Sequence, residues 1–131
     1  MGKYGVAAIY ATKMIRDYGA DPPEAWEKSC GNKGLDPHKC TRSVYLGLCE
    51  EGMIKNVPMG NYTDSVWNKR YAVEAVKLLR SYPSLVTEPK RDLWDKVLKS
   101  SCKEERIGQD GQLDVVLTLW NKGFIKRNRP A

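Results

Sequence analysis

The run "HKCTRS" places Lys39, Thr41, Arg42 and Ser43 within five residues. Two cations and two hydroxyls so close together can donate to phosphate oxygens or to base edges. Lys69 and Arg70 make a second basic pair, and Lys126, Arg127 and Arg129 a third cluster. Tyr62 and Trp67 lie in a polar stretch. They can stack on bases, enter a partner's pocket, or pack over a seam inside the protein. The net charge of +6 and the sequence pI near 9.2 favour polyanionic partners. Nucleic acid, anionic lipid and acidic protein all qualify, and a protein that mimics DNA does not. If these cations neutralise phosphates on duplex DNA, log affinity falls with log salt by roughly 0.9 per phosphate.

Other chemistries find less support. Cys30, His38, Cys40 and Cys49 could ligate zinc, but no close C-x₂₋₄-C pair occurs among them. Free cysteine also behaves as a small buried hydrophobe. No metal and no other cofactor is expected. Cys102 has no obvious disulfide partner. Glu50 and Glu51 are adjacent on a helical pattern and point apart, as would Glu104 and Glu105, so neither makes a good acid/base pair. No nucleophile elbow, phosphate-binding glycine loop or metalloprotease motif appears. The expected protein is therefore not an enzyme. A small enzyme with an unrecognised carboxylate site is a third reading.

The elements that would position these residues are written twice. "LCEEGMIK" at 48–55 returns as "LWNKGFIK" at 119–126. A shift of 67 positions sends Tyr4, Val6 and Ala8 onto Tyr71, Val73 and Ala75, and a shift of 71 sends Val44 onto Val115. Trp26 meets Trp94 between them, and Cys30 and Cys49 meet Leu98 and Trp120. The first block is a helix: Ala72, Ala75, Val76 and Leu79 recur at i, i+3, i+4, i+7, with Ala7, Ala11, Met14 and Tyr18 as the comparable stripe. Gly19 and Pro83 end these two helices. A shorter helix carries Trp26 or Trp94 as a core anchor. Asp21 should cap the first of these, with Pro22 at its first position and Glu24 closing a capping box. In the third block Leu113, Val116, Leu117 and Trp120 match Arg42, Tyr45, Leu46 and Cys49. Gly52 and Gly123 should stop these helices in a left-handed conformation, with Met53-Ile54 and Phe124-Ile125 folding back as apolar clasps. The expectation is an all-α single domain of about six helices. Two pseudo-repeated, helix-turn-helix-like units, 1–58 and 68–131, would be joined by a linker over about 56–69.

Three short helices followed by L-x-x-x-G-apolar-I-K also resemble winged helix-turn-helix proteins, in which the third helix enters the major groove. On that reading the start of the first third helix carries the contacts. The "GNKGLDPHK" connection is longer than a tight helix-turn-helix turn, however. The second copy offers carboxylates at Asp110 and Asp114, and no two-strand wing follows either clasp. The competing expectation is that both third helices are core helices with polar starts.

Charged residues are 29% and hydrophobic ones 41%, ordinary for a soluble domain. No apolar run is long enough to span a membrane or to serve as a secretory signal, so a cytoplasmic protein with reduced thiols is expected. The run "CTRSVYLGLCEEGMIKNVPMGNYTDSVWNKRYAVEAVKLLRSYPSL", with "MGKYGVAAIYATKMI", "AWEKS" and "LDVVLTLWNKGFI", resembles a family of small bacterial proteins of unknown function. The resemblance implies no activity and transfers no site residue. The expected function is a small, basic, non-enzymatic binding protein contacting nucleic acid or a nucleoprotein. The alternative is a protein-interaction module that grips an acidic protein through Tyr62, Trp67 and nearby cations.

Overall fold

A computed structural model describes residues 2–63, 65–101 and 111–127. Among them the chain forms six α-helices: α1 (Lys3–Tyr18), α2 (Pro22–Asn32), α3 (Cys40–Glu50), α4 (Val66–Ser81), α5 (Lys90–Ser100) and α6 (Gln112–Asn121). A 3₁₀ turn, Pro83–Thr87, joins α4 to α5. The all-α expectation holds.

Local chemistry sets most boundaries. Gly19 ends α1 at φ 66°. Gly52 and Gly123 end the third helices at φ 68° and 80°. A left-handed residue there lets the following amide turn back onto the helix. Met53 N–H donates to the Leu48 carbonyl and Phe124 N–H to the Leu119 carbonyl, at 3.0 and 2.9 Å. Asp21 is the N-cap of α2 with Pro22 behind it, but its carboxylate makes no capping bond, so the expected box does not close. The segment 66–69, read as linker, is instead the first turn of α4. Ser65 caps it, its hydroxyl accepting from the Asn68 amide.

One apolar core runs through both halves of the chain. Trp26 is fully buried, stacked between Tyr4 and Tyr45 at 6.1 and 5.1 Å. Its indole N–H donates to the Pro37 carbonyl at 3.0 Å. Trp94 meets the edge of Tyr71 at 5.2 Å. The Thr12 and Tyr45 hydroxyls satisfy each other at 2.8 Å in the interior. Tyr18, expected on the buried stripe of α1, is 87% exposed because the helix ends beside it.

The halves cross over. α1 lies on α2 but also on α6, and α4 lies on α5 but also on α3. The two clasps meet: Ile54 and Ile125 form an antiparallel bridge. Lys55 N–H donates to Phe124 O at 2.8 Å, and Lys126 N–H to Met53 O at 2.9 Å. Each of the two similar phrases is thus a helix stop, and their apolar tails pair with one another.

Candidate functional site

α3 is buried along most of its length, and this limits what it can touch. From Val44 to Glu50 every residue is buried. Gly47 lies so close to α4 that a Cβ there would sit 2.9 Å from Lys69 Cα. A helix embedded in this way presents only its first turn to a partner. This burial supports the competing expectation, a core helix with a polar start.

That start is nonetheless open. His38, Lys39, Arg42, Ser43 and Ser65 line a shallow cleft of about 350 Å³. Lys39 is exposed, and Arg42 and Ser43 are half-buried. Lys39 is the N-cap residue of α3 and supplies no capping side-chain bond, and the first turn carries no acidic residue. The Nε of Arg42 is buried with no hydrogen-bond partner. An orphaned buried donor costs about 1–3 kcal/mol. Asp36 spends one carboxylate oxygen on the His38 amide, 2.9 Å away. Thr41 does not join the cleft. It is fully buried, and its methyl packs beside Gly111 at the start of α6. Its hydroxyl cannot reach an external phosphate, and that expectation is corrected.

Lys69 and Arg70 line a separate cleft of about 380 Å³ between the end of α3 and α4, together with Glu50, Glu51, Glu74 and Lys77. Lys69 is committed there. It bonds Glu50 directly and lies 3.5 Å from Glu51. Glu50 is 8% exposed and also accepts from the amides of Tyr62 and Thr63, at 2.7 and 3.2 Å. Burial pushes its carboxyl up, but the Lys69 bond and the two amides outweigh burial and hold it below its ordinary value. The same bond raises Lys69, against the effect of its own burial. Glu50 is therefore a saturated carboxylate and a poor general base. Sequence reasoning missed this hub because it needs a partner nineteen positions away. Lys77 is 3.9 Å from Glu74 on the same helix, so three acids and three cations share the cleft.

The remaining expected residues are dispersed. Tyr62 is half-buried against the core, and its hydroxyl donates to the Pro58 carbonyl at 3.0 Å, locking the linker. Trp67 lines neither cleft; its ring lies 6.1 Å from that of Tyr71, with the Arg70 guanidinium 5.8 Å from it. Near the chain end, Arg127 bonds the Trp120 carbonyl at 2.8 Å and covers the Trp120 ring at 4.7 Å. Arg80 grips the Lys126 carbonyl, while Lys126 itself is exposed. Arg129, Cys102, Glu104, Glu105 and Asp110 lie outside the described residues. Cys30 and Cys49 are buried in the core, where burial pushes their thiols up to about 11 and about 12; Cys40 is exposed. Among the described residues no three His, Cys, Asp or Glu side chains gather as a metal site would require.

A family model described as a family of unknown function (DUF6979) matches residues 1–126. The chain belongs to that family. No match was found among curated proteins or solved structures. The family match covers both clefts and the paired clasps, and it carries no activity. Among the described residues no helix is long and apolar enough to cross a membrane.

Proposed function

We propose that this protein is a small, non-enzymatic binding protein that contacts the phosphate backbone of nucleic acid. The contact runs through the cleft at the start of α3. The observation that carries the reading is the pairing of Lys39 and Arg42 in one cleft with Ser43 and His38, with no carboxylate among the described lining residues. Several cations elsewhere are occupied: Lys69 by Glu50, Lys90 by Asp114, Arg16 by Asp17. Because α3 is buried beyond its first turn, the contact is to phosphates and not to base edges.

The alternative, a protein partner, is favoured by the exposed apolar side chains Met59, Val66 and Trp67. The duplicated layout belongs to the same proposal. Helix lengths of 16, 11 and 11 residues followed by 16, 11 and 10, with matching stops, support it.

Binding of labelled single-stranded DNA, RNA and duplex, followed by anisotropy at low salt, tests the reading. Wild type should bind at least one of them. The Lys39→Ala/Arg42→Ala pair should lose about tenfold or more in affinity, as expected when charge-assisted bonds go. No binding of any probe at low salt would remove the proposal and leave the protein-partner reading.

A further inference from the structure

We propose that the cleft at the start of α3 is a discrete subsite for one phosphate monoester, such as the terminal phosphate of a nucleic-acid strand. The inference rests on the nucleic-acid reading for the strand but not for the phosphate itself. Two formal positive charges, Lys39 and Arg42, face a recess whose described lining residues include no acid. A phosphate monoester brings about −1.5 to −2 at neutral pH, where an internal diester brings only one charge. The recess is local, holding five described residues around Ser65, and does not continue as a basic track: beyond Ser65 the neighbouring cleft matches its cations with acids. A bound run of internal phosphates would meet Glu51 and Glu74 there. A single terminal group would not.

The polar atoms suit an oxyanion. Arg42 lines the recess and brings its guanidinium charge to it, although its Nε is itself buried. Ser43 offers a hydroxyl. Ser65 already accepts from Asn68 and keeps its own proton to donate. The Arg42 amide is already spent on the Lys39 carbonyl at 2.9 Å, and the start of a helix carries partial positive charge that favours an anion.

The test compares 5′-phosphorylated and 5′-hydroxyl versions of one oligonucleotide at fixed salt, with inorganic phosphate as competitor. The phosphorylated strand should bind about tenfold more tightly. Inorganic phosphate should erase the difference, as should Lys39→Ala and Arg42→Lys. Lys39 is exposed, so its variant leaves the fold alone. Direct calorimetric binding of inorganic phosphate, without binding of either strand, would assign the site to free phosphate and end the nucleic-acid reading. Equal binding of both strands, unaffected by phosphate, would overturn the subsite and leave that reading standing. Failure of all three probes would end both.

Discussion

At the scale of single residues, Glu50 is the side chain whose state matters most to the fold. Its carboxylate ends three bonds: one from Lys69 and two from the amides of the 60–63 segment. It also stands at the C-terminal end of α3, where a negative charge is disfavoured by the helix dipole. The fold keeps it charged all the same, so its pKa lies below the ordinary value of 4.5. The stability it contributes is complete above the ordinary carboxylate range and is lost as pH falls through the lowered value. Glu50→Gln should therefore cost about 1–3 kcal/mol at neutral pH. The gap to wild type should close in acid, and urea denaturation at a series of pH values would show it. A gap that stays constant down to pH 3 or so would mean that the charge plays no part. None of this was legible in "CEEG", where two adjacent acids look alike until tertiary packing buries one and leaves the other in water. Thr41 was misread for a similar reason. It has the right chemistry and the right neighbours, but α6 covers it.

At the scale of elements, the stops and stripes were readable because they are local. A glycine after an apolar stripe ends a helix whatever surrounds it, and Gly19, Gly52 and Gly123 do so. Ala72, Ala75, Val76 and Leu79 face inward as their spacing requires. The contacts between elements were not readable. Nothing in either clasp says that Ile54 will pair with Ile125, since each would serve equally well folded onto its own helix. Gly47 is the sharpest case. On α3 it looks like a mild helix weakness, yet its missing Cβ admits the backbone of α4. Gly47→Ala improves helix propensity by about 1 kcal/mol and should still destabilise, because overpacking at a backbone contact costs about 1–3 kcal/mol or more. A lower urea midpoint for the alanine variant is the expected result. A higher midpoint would mean that α3 and α4 separate easily and that the close approach is incidental.

At the scale of the whole molecule, the crossed packing explains why the basic residues do not form one footprint. Net charge and composition pointed to a polyanion but could not say how the cations would be distributed. The fold divides them among the α3 cleft, the mixed α3–α4 cleft, the flank with Trp67, and the clasp near Arg127. In two of these places their charge or donors are already used. A protein built this way should bind nucleic acid with few phosphates neutralised. The most direct measurement is the salt dependence of binding to a 5′-phosphorylated single strand, for wild type and for Lys39→Ala/Arg42→Ala. With roughly −0.7 per phosphate on single strands, wild type should show a log–log slope of about −1 to −2, and the variant a slope near zero. A steep slope of about −5 or beyond, unchanged in the variant, would place the contact on a broad basic surface elsewhere and contradict the account.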